Sequence, residues 1–267
     1  MNLFISSDIE GTCGIAAWSE TEPGRPDGAY FKQQMSREVA AACRGALAAG
    51  GERILVKDAH DSARNIDPSV LPEEVQINRG WAGDVYSMMS GIQHGDWDAA
   101  VFTGYHAAAC CDGNPLSHTM NTSVDYVEIN GVRASEFTLN AYMAGYHGVP
   151  VCFVSGDAAL CDSARRMIPD IATVPVNKGD GNSATSLHPA LAVKRIEETL
   201  RAQLESGAYR TCIVPMPPKF EIIIRYKEHR AAYRCSFYPG VEQVDEKTLR
   251  FTCVDYMDAM CLFQFVL

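Results

Sequence analysis

The chain is 267 residues long and 47% hydrophobic, enough to bury a sizeable core without disulfide staples. With 33 acidic against 23 basic residues it carries a formal charge of −10, which argues against nucleic acid or an anionic membrane surface as partners, since both select a basic face. No apolar run approaches the length of a bilayer span, and Met1–Glu10 brings two acids and no basic start, so the expectation is a cytoplasmic protein.

In chain order, Leu3–Ser7 reads as a short buried strand that ends in the acidic turn Asp8-Ile9-Glu10-Gly11. After the Gly/Pro-rich loop Glu22–Pro26, the apolar residues Phe31, Met35, Val39, Ala42 and Leu47 recur at helical spacing. They predict a helix over Tyr30–Ala49, ended by Gly50-Gly51. Arg53–Lys57 is a second strand, running into Asp58-Ala59-His60-Asp61. Strand, helix and strand with short connectors predict a parallel unit with a right-handed crossover. Ala99–Thr103 is a third strand, which leads to Gly104-Tyr105-His106. Tyr126–Ile129 and Val132 flank Asn130-Gly131, a strong hairpin signal. A helix over Glu136–Tyr146 and a strand over Val151–Ser155 follow, then Gly156-Asp157 and an amphipathic helix over His188–Glu205. Beyond Gly207, strands are expected at Arg210–Val214, Phe220–Arg225 and Thr248–Val254, with a helix from Met257. The fold class is α/β, a mainly parallel open sheet with helices on both faces plus a smaller C-terminal α+β region. Residues 1–206 are expected to form the metal-binding catalytic domain, and residues 207–267 a small domain or an extension of the sheet.

Three strand ends therefore deliver acids or histidines: Asp8 with Glu10, then His60, then His106. In an open parallel sheet, ligands bind beyond the carboxyl ends of the strands. Asp8 and Glu10 are two apart, so in extended chain their carboxylates point the same way. Taken singly, an acid after a strand is a helix cap or a solvated loop residue, and a lone histidine is a loop or core residue. Asp58 is itself the better cap of its run. Recurrence at three ends of one sheet is what singles the set out. Mixed carboxylate and imidazole donors suit zinc, manganese, iron or cobalt better than calcium or magnesium. A carboxylate shared between two ions makes a two-metal hydrolytic centre, which can polarise a carbonyl or phosphoryl oxygen.

The blocks Ser6-Ser7-Asp8-Ile9-Glu10-Gly11, Asp58-Ala59-His60, Gly104-Tyr105-His106-Ala107, Ser117-His118-Thr119-Met120 and Glu136–Tyr142 occur in a fixed order. With Gly145-Tyr146, Val149-Pro150-Val151 and Gly156-Asp157, they resemble the DppA-type D-aminopeptidases, a family of binuclear zinc peptidases, over residues 1 to about 180. The resemblance implies two Zn²⁺ per chain, with Mn²⁺ or Co²⁺ as alternatives, ligated by Asp8, Glu10, His60, His106 and Glu136. It puts His118 at the catalytic position. It also implies a short peptide or amino-acid amide as substrate, N-terminal D-residues among them, and a ring-like homo-oligomer such as a decamer. Asn140 lies one helical turn after Glu136, where it orients that ligand, touches substrate or faces solvent. Two alternatives stay open. One is a two-metal amidohydrolase acting on a non-peptide amide or ester. The other is a non-catalytic dipeptide-binding component of an uptake system.

The remaining features carry less chemistry. Ten cysteines without a Cys-x-x-Cys pair read as reduced thiols. Cys110 and Cys111 lie in a loop one residue longer than in typical family members, either near a metal or as packing residues. His147 is expected as a favourable charge at a helix C-terminus. Lys178–Asn182 reads as a plain turn, and Arg225, Lys227 and Arg230 as a solvated basic face.

Overall fold

A computed structural model of the chain describes residues 1–22 and 24–267; Pro23, in the expected Glu22–Pro26 loop, lies outside them. The elements are β1 (Asn2–Ser7), α1 (Gly28–Ala48), β2 (Arg53–Asp58), β3 (Val75–Asn78), β4 (Ala99–Tyr105), β5 (Val124–Ile129), β6 (Val132–Arg133), α2 (Glu136–Tyr146), β7 (Val151–Asp157) and α3 (Ala158–Met167). Then come β8 (Ala172–Asp180), β9 (Ser183–Ser186), α4 (Pro189–Glu205), β10 (Phe220–Tyr226), α5 (His229–Cys235), β11 (Glu242–Gln243), β12 (Thr248–Cys253) and α6 (Tyr256–Val266).

The larger sheet has seven strands in the order β3-β2-β1-β4-β7-β8-β9, all parallel except the last pair. The central strands are covered on both faces, which is why they read as unbroken apolar runs: every residue of β4 and β7 is buried. Helices α1 and α4 pack on each other on one flank, while α2 and α3 form the other pair against β7. The chain runs outward from β1 to β2 and β3, then returns to place β4 on the other side of β1. The order therefore reverses between β1 and β4, the position where open α/β sheets form their ligand crevice.

A second, antiparallel sheet has the order β11-β12-β10-β5-β6. Along β10, buried Phe220, Ile222, Ile224 and Tyr226 alternate with more exposed residues, the pattern of a sheet packed on one face. The 207–267 segment supplies three of its strands; β5 and β6 come from earlier in the chain. The predicted hairpin is present, with Asn130 and Gly131 both left-handed (φ 51° and 77°), as a tight two-residue turn requires. Helix α6 ties this sheet to the first: Tyr256 donates its hydroxyl to the Leu139 carbonyl of α2 (2.7 Å), and Tyr226 donates to Val266 (2.7 Å).

One expected strand is absent. Arg210–Val214 instead begins as a 3-10 turn over Ala208–Thr211 after left-handed Gly207. The prolines at 215, 217 and 218 that follow lack the amide hydrogens a ladder needs. Lys178–Asp180 belongs to β8, and the turn is confined to Gly181-Asn182. Among the described residues, no helix is long and apolar enough to cross a membrane.

Candidate metal centre

The crevice between β1 and β4 is held open by backbone chemistry. After β1, the Asp8 amide donates to Thr103 (2.9 Å) and the Gly11 amide donates to Gly104 (2.8 Å). This approach leaves no space for a side chain: a Cβ at Gly11 would sit 1.8 Å from the Tyr105 carbonyl oxygen, and one at Gly104 2.1 Å from the Asp8 oxygen. Gly11 is therefore present for close contact with the neighbouring strand end. The two loops lie tightly together, and the residues at their tips meet.

Asp8, Glu10 and His60 form one group of ligand atoms, and His106, His118 and Glu136 a second. His60 Nδ1 lies 3.1 Å from Glu10 Oε2 and 3.3 Å from Asp8 Oδ1. On the other side, His106 Nε2 lies 3.5 Å from Asp8 Oδ2 and 3.6 Å from Glu136 Oε2. Asp8 thus turns one oxygen to each group. All five residues expected from the sequence come together, from the ends of β1, β2 and β4 and the first turn of α2. Each is at least nine-tenths buried.

The histidine tautomers are fixed from outside. His106 Nδ1 is 2.9 Å from the Ala107 carbonyl and His118 Nδ1 is 2.8 Å from that of Leu116. A carbonyl can only accept, so in each ring Nδ1 carries a proton and donates it, and Nε2 is the nitrogen turned to the crevice. His118 stacks on His106 (centroids 4.3 Å apart, 14° between planes), and its Nε2 lies 3.4 Å from Glu136 Oε1. That same oxygen accepts the Met120 amide hydrogen (2.7 Å). The edge of Trp18 packs on the outer side of His118.

Three buried carboxylates in one cluster are untenable without compensating charge. The strain is visible in their proton affinities. Burial and then the Glu10 charge push the Asp8 carboxyl well above the usual range. Burial pushes Glu10 the same way, but the His60 charge overrides it and draws Glu10 well below. For His106, burial disfavours the charged ring, yet Glu136, Asp8 and Glu10 raise it to about 10. Meanwhile Asp8 Oδ2, Glu10 Oε2 and His106 Nε2 are buried with no hydrogen-bond partner among the described residues. Orphaned carboxylate and imidazole atoms converging on two points are the donor set of divalent transition-metal ions. Two such ions bring a charge of +4 against the three carboxylates.

Several residues that the sequence did not single out position this set. Asp58, expected as a cap, begins no helix. Its carboxylate accepts the amides of Asn65 (2.6 Å) and Ile66 (2.8 Å), and Asn65 in turn donates to the His60 carbonyl (2.6 Å). Asp157, the N-cap of α3, also accepts the Ala107 amide (2.7 Å), and Asn114 bridges it to the Glu10 carbonyl. Asp157 ends β7, next to β4 in the same sheet, so the strand-end rule that selects Asp8 would have found it. Asn140 bonds to neither Glu136 nor the crevice: it donates to the Tyr105 hydroxyl (3.0 Å) and to Met88 Sδ (3.3 Å). His147 caps α2 as expected of its position, but burial lowers its proton affinity, so it is a poor carrier of charge there. Arg225 is paired with Asp125 and Asp245 on the surface. Cys110 and Cys111 join neither ligand group; Cys111 lines a separate cavity with Arg133 and Arg166.

The crevice opens into a cavity of about 340 Å³ whose mouth carries the half-exposed indoles of Trp18 and Trp81. The Trp81 wall is braced by Lys57, fully buried at the end of β2. Its ammonium donates to the Gly80 carbonyl (2.5 Å) and lies 4.5 Å from the centre of the Trp81 ring. Burial lowers the Lys57 proton affinity to about 8.

The profile of peptidase family M55, D-aminopeptidase, matches residues 1–265. The chain belongs to this family. It is 29% identical to a D-aminopeptidase of Bacillus subtilis (strain 168) over 263 residues, 97% of this chain and 94% of that one. A solved structure, the Zn-dependent D-aminopeptidase DppA from Bacillus subtilis, described as a self-compartmentalizing protease, superposes with a TM-score of 0.91. It is 27% identical, and the match covers all of this chain and 96% of that one. The M55 fold is thus the α/β fold read from the sequence, and the aminopeptidase reading stands. Neither the non-peptide amidohydrolase nor the uptake-system binding protein finds support in these likenesses.

Proposed function

We propose that this M55 peptidase is a zinc-dependent aminopeptidase that releases the N-terminal residue, D-residues included, from short peptides or amino-acid amides in the cytoplasm, working as a homo-oligomer. Asp8, Glu10 and His60 would hold one ion, and Asp8, His106 and Glu136 the other, with Asp8 as the shared ligand. The observation that carries this reading is the orientation of Asp8, whose two oxygens lie 3.3 Å from His60 Nδ1 and 3.5 Å from His106 Nε2. The similarity to a Zn-dependent, self-compartmentalizing D-aminopeptidase supports the choice of metal and the assembly. A pair of bound ions supplies Lewis acidity toward the scissile carbonyl and toward water at neutral pH.

The protein's own groups then do the rest. Glu136 is the first residue of α2, where the helix dipole steadies its negative charge. His118, with Nδ1 committed to Leu116, has only Nε2 free to accept a proton and return it to the departing amine. Its Nε2 faces the cavity beside Glu136, and Trp18 shields the ring from bulk water. The two tryptophans and the small cavity restrict entry to short chains.

Elemental analysis of the purified protein, with release of D- and L-residues from matched dipeptides and amides, tests the proposal. About two ions per chain, stereoselective release, and loss of release without loss of metal in His118→Ala are the expected results. Absence of metal even after reconstitution would overturn it.

A further inference from the structure

Burying an ammonium group is costly unless a carboxylate answers it. Lys57 is fully buried, and among the described residues no carboxylate pairs with it. Asp58 and Asp84 are the charges that favour its proton, but both are committed elsewhere. Asp58 accepts the amides of Asn65 and Ile66, and Asp84 accepts the amide of Tyr86 (3.1 Å). The strands on either side add no charge, since the residues in register with Lys57 are Ser6 of β1 and Asn78 of β3.

What the ammonium does hold is the loop that carries Trp81. It grips the backbone through the Gly80 carbonyl and the indole through the face of its ring, 4.5 Å from the ring centre. The loop needs such a grip. Trp81, Ala82 and Gly83 are all exposed, and Gly80 and Gly83, at φ 82° and 78°, have open space where a side chain would be. A segment with so few buried contacts opens easily unless it is pinned. Two further pins come from the loop after His60: the Gly80 amide donates to Ala63 (2.8 Å), and the Trp81 indole donates to the Asp61 carbonyl (2.6 Å). Lys57 is the pin that acts on the face of the ring, and this ring lines the mouth of the metal cavity.

We propose that Lys57 is a positioning residue, which sets how firmly substrate binds by holding Trp81 in place at the mouth of the metal cavity, without itself touching substrate. The inference rests on the aminopeptidase reading. A wall already in place binds substrate without the ordering cost that a loose loop would add. Such a wall meets substrate before and during the reaction alike, so its loss falls on KM and leaves kcat unchanged. The charge matters as well as the volume. A neutral amine still donates to Gly80 but loses its attraction to the indole face. Burial lowers the Lys57 proton affinity to about 8, so the grip on the ring weakens as the pH rises through that value.

The test compares the zinc-loaded protein with Lys57→Met, which keeps the length but not the charge, and Lys57→Arg, which stays charged at high pH. Acrylamide quenching of indole fluorescence, with Trp81→Phe subtracted to isolate this ring, reads the wall; KM and kcat for an amino-acid amide read its consequence. In wild type, Trp81 should become more accessible with a midpoint near pH 8, and KM should rise about three- to tenfold over the same range. Lys57→Met should show the accessible ring and the raised KM at every pH, with kcat within about twofold of wild type. Lys57→Arg should restore the low KM and abolish the midpoint. Turnover with unchanged KM and unchanged quenching in Lys57→Met would overturn the inference and leave the aminopeptidase intact. The expected quenching pattern without turnover of any amide would support the grip of Lys57 on Trp81 and overturn the aminopeptidase. Should Lys57→Met fail to fold, wild type against Lys57→Arg decides: identical pH profiles of Trp81 quenching in the two would overturn the inference, and loss of the midpoint in Lys57→Arg alone would support it.

Discussion

Replacing Glu38 by glutamine tests the reasoning about buried charge at a site that is near the metal loop but not in it. Glu38 is a buried acid of α1, 1% exposed. One oxygen accepts the Cys13 amide (3.0 Å), in the loop that follows Glu10, and the Gln34 side chain (3.0 Å); the other has no partner among the described residues. Burial, only partly countered by those two hydrogen bonds, raises its proton affinity from the ordinary 4.5 to about 7. The folded protein therefore holds this proton to higher pH than the unfolded chain does. Its contribution to stability is complete below about pH 4.5 and is lost as the pH rises through about 7. A gap of about 2.5 units at about 1.4 kcal/mol each makes the total loss about 3 kcal/mol, of which about 2.5 falls between pH 5 and pH 8.5. Glutamine keeps an oxygen for the Cys13 amide but cannot ionise. Urea unfolding of both proteins at pH 5 and pH 8.5, at equal protein and zinc concentrations, isolates the difference, because the metal site titrates identically in each. The stability of Glu38→Gln relative to wild type should improve by about 2.5 kcal/mol over that interval. Parallel pH curves would refute the reasoning, since they would mean that Glu38 is ionised in the folded protein at neutral pH.

Other substitutions probe the scaffold of the metal centre. Gly11→Ala would put a methyl 1.8 Å from the Tyr105 carbonyl and is expected to prevent recovery of folded protein, whereas Gly131→Ala, in open space at the hairpin, should cost only about 1–2 kcal/mol by thermal unfolding. Asp157→Ala releases the Ala107 amide and uncaps α3, and zinc affinity should fall about 10–100-fold by competitive chelation, although Asp157 touches no ion. Removing metal with a chelator should lower the unfolding temperature, and one equivalent of zinc per site should restore it; an unchanged temperature would mean that the buried carboxylates are neutralised in some other way.

The legibility of the centre in the sequence follows from the sheet. β1, β2 and β4 each carry a short apolar core, Leu3–Ile5, Ile54–Val56 and Ala99–Phe102, and the polar residues that follow within a few positions mark the strand ends. Asp8, Glu10, His60 and His106 were visible for that reason. Glu136 and His118 are not strand ends: one opens a helix and the other sits in a loop, and only the resemblance to a family pointed to them. β8 was hidden by Pro175 in its middle and β9 by its polar composition, so the strands that extend the sheet beyond β7 went unread. The five strands of the second sheet are far apart in sequence, and no local pattern announces that β5 pairs with β10 across about a hundred residues.

Asn140 shows where local spacing stops being informative. One turn after Glu136 it does lie on the same face of α2, but Tyr105 approaches that face from β4 and takes its hydrogen bond. The Tyr105 hydroxyl also meets Ser6 Oγ at 2.6 Å, and Ser6 donates to the Met88 carbonyl. A continuous polar chain thus runs from β1 through β4 to α2 directly beneath the ligands. Its members were unremarkable in the sequence because each is a common residue whose partner is supplied by a different element. The ligands announce themselves by residue type, since few side chains bind metal. The groups that aim them do not, because a hydrogen bond can be made by almost any polar pair that the fold brings together. For that reason a loss of geometry without a loss of ligands, as in Asp157→Ala, is the more demanding trial of this structure than removal of any ligand itself.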